Sequence, residues 1–191
     1  MVELHSEESI WETNWKCLTE NFMEGYHLST VHRKTLHPIT PTHLCKHFPA
    51  GQGYLGYFSI FPDDLPERGK FHPDLTTKER QRSVMFAIPP GHVAGVARHK
   101  ETYLYLQPDT LDTVREKQGI AFADPEISDD SLRNAVDLFR QTMAEDKMQL
   151  ANLRRGLHSR SLATAPLAPA NFEGNVLDFY QYQIPKHLYC L

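Results

Sequence analysis

The tightest constraint on this chain lies between Asp129 and Arg155. There, Leu132, Val136, Phe139, Met143, Leu150 and Leu153 recur at steps of three and four, the period of one stripe on an α-helix. Ser128 or Asp129 can cap its start, acids crowd its first turn, and Arg154 and Arg155 followed by Gly156 mark its end. At ~1.5 Å per residue such a helix is roughly 40 Å long, and its stripe must be buried against another layer. Asp146 falls on that stripe, between Met143 and Leu150. A buried carboxylate costs several kcal/mol unless a positive group answers it. The spacing leaves three readings open: an arginine opposite Asp146, a metal ion, or a frayed edge of the stripe.

A second periodic segment, from about Trp15 to Val31, places Trp15, Leu18, Phe22 and Tyr26 on one helical face, with Thr13 or Asn14 as cap. Residues 33–50 hold Pro38, Pro41 and Pro49 and read as an ordered loop. Strands are expected over Gly53–Phe61, Ser83–Ile88, Thr102–Leu106 and Thr113–Phe122, where aromatic and β-branched residues gather. The charged stretch Pro62–Arg82 between them reads as a surface excursion. A tail with Pro166 and Pro169 leads to a final amphipathic segment, Glu173–Tyr182. Helix, antiparallel strands, then a long helix suggests an α+β fold, with residues 1–191 forming a single domain.

Composition narrows the function. The net charge is −4 and no basic stripe interrupts it, so nucleic-acid binding has no electrostatic footing. No apolar run is long enough to cross a membrane, and the acidic N-terminus, Met1 to Glu8, is no signal peptide. Cys17, Cys45 and Cys190 are far apart and form no C-x-x-C pair, which argues against a disulfide scaffold or a structural zinc site and makes a cytoplasmic setting the default. Histidine is the abundant type, with 11 residues among 191, and imidazole is a common ligand of zinc, copper and iron.

The histidines that carry chemistry follow Glu20-Asn21-Phe22-Met23-Glu24-Gly25-Tyr26-His27, with His32 five residues further on. On a continuous helix Glu20, Glu24 and His27 share one face. His27 and His32 meet at one metal only if the helix ends or distorts between them. Pairs at this spacing arise by chance in a chain this rich in histidine. Together with Asp146, however, they supply two imidazoles and one carboxylate, the facial triad of non-haem Fe(II) oxygenases. Zinc remains the competing metal, although H-E-x-x-H is absent.

Asn14-Trp15-Lys16, then Glu20-Asn21-Phe22-x-Glu24-x-Tyr26-His27-x4-His32, resembles the first signature of Rieske-type ring-hydroxylating oxygenase alpha subunits. Glu145-Asp146, with Arg154-Arg155-Gly156-Leu157 eight residues after the aspartate, is similar to the second, and Ser159 fits the serine that often follows. The two motifs occur in family order and span essentially the whole chain. The resemblance implies a helix-grip (START-like) domain, a curved antiparallel sheet wrapped around a long C-terminal helix. It implies Fe(II) held by His27, His32 and Asp146, with Asn21 near the metal and Glu24 as the acid through which an electron arrives. The substrate would be a small aromatic or quaternary-ammonium-like compound, and O2-dependent hydroxylation, dihydroxylation or oxidative demethylation the reaction.

Two departures from the family stand out. Arg154 replaces its usual glutamine, and the Rieske pattern, C-x-H followed by C-x-x-H, is met only by the isolated Cys45-Lys46-His47. A [2Fe–2S] cluster and a reductase would therefore come from a partner chain or another domain. Family members usually assemble as trimers in which one subunit's Rieske domain abuts the next subunit's iron; without that domain a monomer or a different dimer is open here, a homo-oligomer included. Tyr54, Tyr57, Phe58, Phe86, Tyr103 and Tyr105 are candidates for the pocket wall, with ordinary core the alternative for most of them. The rival functions are a helix-grip ligand-binding module without catalysis, and a zinc-dependent hydrolase using the same three residues.

Overall fold

The computed structural model describes residues 1–67, 69–159 and 166–189. Cys190 lies outside them. Seven strands, β1 (Val2–Trp11), β2 (Cys45–His47), β3 (Leu55–Ile60), β4 (Arg82–Ile88), β5 (His92–Val96), β6 (Lys100–Pro108) and β7 (Val114–Phe122), form one antiparallel sheet. Its order is β1-β7-β6-β5-β4-β3-β2, so the chain meanders from β2 to β7 and β1 closes beside β7. The helices are α1 (Trp15–Met23), the short α2 (Thr77–Arg80), α3 (Asp129–Leu157) and α4 (Ala170–Asp178), followed by a π-helical turn (Phe179–Gln183) and α5 (Ile184–Tyr189).

The core lies between one face of the sheet and the helices. Leu55, Ala87, Val93, Leu104, Leu106, Val114, Ile120 and Phe122 alternate along their strands to face inward. Leu18, Phe22 and Met23 of α1, Val136, Phe139, Met143 and Leu150 of α3, and Phe179 complete the cluster. The stripe on α3 is buried as its period requires, with Ser128 accepting from Ser131 N–H at the cap. Leu132 is only partly buried and Leu153 is 45% exposed. Near Leu153 the helix end meets solvent, where Arg154 reaches Glu12 at 3.5 Å.

Other differences have local causes. The helix expected as far as Val31 stops at Met23. Strand β2 lies inside the expected loop, and β5 follows Pro89-Pro90-Gly91 with small residues whose alternation is weak. Strand β1 has no apolar alternation because its inward positions are largely polar and satisfy one another. Gln118 Nε2 donates to Glu7 at 2.7 Å, Arg140 donates to Glu7 at 2.9 and 3.0 Å, and Ser9 Oγ and Trp11 Nε1 donate to Glu116 at 3.0 and 3.2 Å.

Glu116 is fully buried. Burial pushes its carboxyl up to about 7 from an ordinary 4.5, against Ser9, Trp11 and Lys147, which draw it down. An acid that the fold keeps protonated stabilises fully below its unfolded pKa, and that stabilisation is lost as pH rises through the folded one. Stability therefore falls between pH 4.5 and 7, by at most about 3.5 kcal/mol at ~1.4 kcal/mol per pKa unit. In thermal melts Glu116→Gln should abolish this fall and exceed the wild type at pH 8. A parallel pH profile in the variant would contradict the assignment.

Candidate metal centre

The site is built where α1 breaks. Glu24 leaves the helix in an extended conformation (φ −132°, ψ 153°), and its carboxylate accepts the N–H groups of Tyr26 and His27. At Gly25 an added Cβ would lie 2.3 Å from Cys45 Sγ, so glycine alone fits there. Buried Asn175 of α4 fastens the break from the other side, donating to Met23 O at 3.1 Å and Gly56 O at 2.8 Å. A tight turn follows, with Val31 N–H bonded to His27 O at 2.8 Å. Thr42 Oγ1 pins it by donating to Gly25 O at 2.8 Å.

Ending the helix early brings the two histidines together. Glu20, Glu24 and His27 do not share a helical face, contrary to the expectation for a continuous helix. Glu20 turns instead toward Tyr180, where burial raises its carboxyl, Tyr180 draws it down, and Glu173 and Glu24 raise it further. The rings of His27 and His32 lie 5.2 Å apart at 68°. Asp146 comes to meet them from α3, its Oδ1 3.0 Å from His32 Nε2 and 3.8 Å from His27 Nε2.

One ligand atom from each of the three residues lies within 4.8 Å of the other two, so they could hold one metal ion. His32 is fully buried and Asp146 is 1% exposed. Among the described residues the ion-pair partners of Asp146 are these two imidazoles, and no arginine faces it. His32 Nε2 and Asp146 Oδ1 make no hydrogen bond despite their burial. Two buried polar atoms without a hydrogen bond, within 4.8 Å of each other and of a third ligand atom, fit a coordinated cation better than a finished hydrogen-bond network.

The far side of each imidazole is already fixed. Glu24 engages His27 Nδ1, and Glu145 engages His32 Nδ1 at 2.7 Å while accepting from Thr35 Oγ1 at 2.6 Å. A carboxylate on Nδ1 sets the tautomer and leaves Nε2 free for a metal. Burial pulls the His32 imidazole down, but Asp146 and Glu145 outweigh it and hold it above its ordinary value. Reasoning from sequence gave no role to Glu145, Thr35 or Asn175. For Glu145 the signal was its place next to Asp146 in the Glu-Asp motif.

Beside the three residues opens a cavity of about 470 Å³ between sheet and α3, with Asn21, His27, His32 and Asp146 in its wall. Asn21 Nδ2 is buried there without a partner. Of the six aromatics expected to line a pocket, Tyr57 alone does so. Phe58, Phe86, Tyr103 and Tyr105 alternate to the opposite face of the sheet, and Tyr54, just before β3, is 48% exposed. Cys45 and His47 sit on β2 paired with β3, and burial lifts the Cys45 thiol to about 11, no setting for a cluster thiolate.

A seven-stranded sheet backed by a long helix, with two histidines and an aspartate beside an apolar cavity, defines a domain able to hold a metal next to a small molecule. Over residues 2–183 the chain matches the family described as ring hydroxylating alpha subunit (catalytic domain), and it belongs to that family. No curated protein sequence matches it. Its fold is similar to the quaternary ammonium Rieske monooxygenase CntA (TM-score 0.77, 16% identity, covering 97% of this chain and 49% of that one). It is also similar to dicamba monooxygenase bound to 3,6-dichlorosalicylic acid (0.64, 16%, 97% and 59%). Naphthalene 1,2-dioxygenase from Rhodococcus sp. is a third (0.62, 14%, 86% and 46%). The chain thus spans about half the length of CntA and of naphthalene dioxygenase. No described helix is long and apolar enough to cross a membrane.

Metal counting after equilibrium dialysis tests the cluster. His32→Ala and Asp146→Ala should each reduce bound divalent metal to background. Glu145→Ala should keep the ligands but weaken affinity roughly 10–100-fold. Wild-type metal content in Asp146→Ala would refute the cluster as a metal centre.

Proposed function

We propose that this chain is the mononuclear Fe(II) catalytic domain of a Rieske-type oxygenase, carrying out O2-dependent hydroxylation, dihydroxylation or oxidative demethylation of a small organic substrate. The observation that carries the reading is that His32 Nε2 and Asp146 Oδ1, both buried and without a hydrogen bond, lie 3.0 Å apart beside the cavity. When bound by two imidazoles and one carboxylate, Fe(II) keeps open positions at which O2 can be activated beside a substrate.

The protein's own groups do the rest. Glu24 and Glu145 hold the two imidazoles with Nε2 toward the metal position. Phe22, Leu28, Leu104, Phe139 and Met143 wall the cavity and keep water from the substrate. Asn21 offers an unpartnered amide to whatever sits there. Glu24 is 8% exposed, one residue from Gly25 and two from the half-exposed Tyr26, and it touches His27 directly. This placement supports reading Glu24 as the acid that would link the metal position to a neighbouring [2Fe–2S] cluster.

This reading assigns the electron supply to a Rieske protein or domain with its reductase, in a cytoplasmic setting. Chain reconstituted anaerobically with Fe(II) and mixed with substrate should consume O2 steadily only when a reduced Rieske protein is present. Steady NADH-linked turnover with a reductase alone would contradict it. Substrate hydrolysis with Zn²⁺, indifferent to O2, would overturn the oxygenase reading.

A further inference from the structure

The cavity has a second chemical end. It follows β6 at least from Lys100 to Leu104, a rise of ~13 Å at ~3.3 Å per residue. Arg140 of α3 is level with Glu7, which pairs with Gln118, which pairs with Leu104. Further along α3, Lys147 beside Asp146 lies over Trp11, which is level with Pro108 through Val114, whereas Lys100 is level with Val2 through Phe122. The metal cluster and Lys100 therefore occupy opposite ends of one cavity.

At the Lys100 end, three nitrogen-bearing side chains line the wall: Arg98, His99 and Lys100. Arg98 spends two N–H groups on Arg80 O (2.7 Å) and Pro66 O (3.0 Å), while its Nε stays buried without an acceptor. His99 Nδ1 is likewise buried and unpartnered. Burial lowers the His99 imidazole to about 4, with Lys100 and Arg98 pushing it the same way. Burial also lowers the Lys100 ammonium, and no carboxylate acts on it. Among the described residues neither Lys100 nor Arg98 has an acidic side chain within ion-pair distance. A positive, donor-rich, desolvated corner without an anion in it is incomplete.

We propose that this corner is the subsite for an organic carboxylate, Lys100 pairing with the anionic head of a substrate whose apolar body runs along the cavity to the metal cluster. This rests on the oxygenase reading for the word substrate, but the anion site itself does not depend on it. The cavity wall between the two ends is predominantly apolar, including Val93, Leu104, Leu138, Phe139 and Met143. An elongated amphipathic acid satisfies both halves, whereas a cation placed at this end would meet Lys100 and Arg98 unscreened.

Titration calorimetry on metal-free full chain tests the subsite with two probes alike in shape, 4-phenylbutanoate and 4-phenylbutanamide. The acid should bind at least tenfold more tightly than the amide. Lys100→Met should erase that preference and leave amide affinity within about twofold, and Lys100→Arg should keep it. Thermal melts should show Lys100→Met folded and no less stable than wild type, since it removes a desolvated charge. Equal affinities, no measurable binding of the acid, or a preference that survives in Lys100→Met would each overturn the subsite. Because no iron is present, these outcomes are independent of whether the cluster binds metal or activates O2.

Discussion

A carboxylate 1% exposed, set on the inward stripe of a 29-residue helix, is the demand that the rest of this molecule answers. Leaving Asp146 without a cation would cost several kcal/mol, and α3 offers no positive group to meet it. The chain meets the demand from the far end of the sequence. Helix α1 is stopped at Met23, and the turn that follows delivers His27 and His32 to the carboxylate. Both imidazoles are in turn held by acids, Glu24 and Glu145, so three carboxylates and two histidines share one small volume. Such an arrangement of negative charge is stable around a divalent cation and strained without one.

The break in α1 is therefore as much a part of the candidate site as His27, His32 and Asp146 themselves. Gly25 allows Cys45 to approach, Glu24 takes up the freed N–H groups, and Asn175 reaches in from α4 to bind Met23 O. Each holds the loop in the path that an unbroken helix could not follow. The tail helix thus helps to position the His27, His32 and Asp146 group through the bond of Asn175 to Met23 O. The sheet contributes the cavity wall, and its register decides that Tyr57 faces the cavity while Phe58 and Phe86 face away.

Much of this could be read from residue order because strong local signals and the fold agree. Asn14 and Ser128 cap where the sequence places them, the stripe on α3 is the core stripe, and β4, β6 and β7 occupy the expected runs. What escaped was set by partners distant in sequence. Strand β1 is polar on its inward side because Glu7, Ser9, Gln118 and Glu116 bond across β1 and β7, a pattern no single segment displays. The end of α1 depends on Cys45 and Asn175, 20 and 150 residues beyond Gly25. Lys100 shows its isolation only once the cavity places it opposite the cluster.

Anomalous diffraction at the iron absorption edge, on crystals grown from protein loaded anaerobically with Fe(II), puts the central relationship to the most direct trial. The account requires one strong peak at bonding distance from His27 Nε2, His32 Nε2 and Asp146. Loaded crystals with no peak there, and with Asp146 instead paired to a protonated His32, would contradict it.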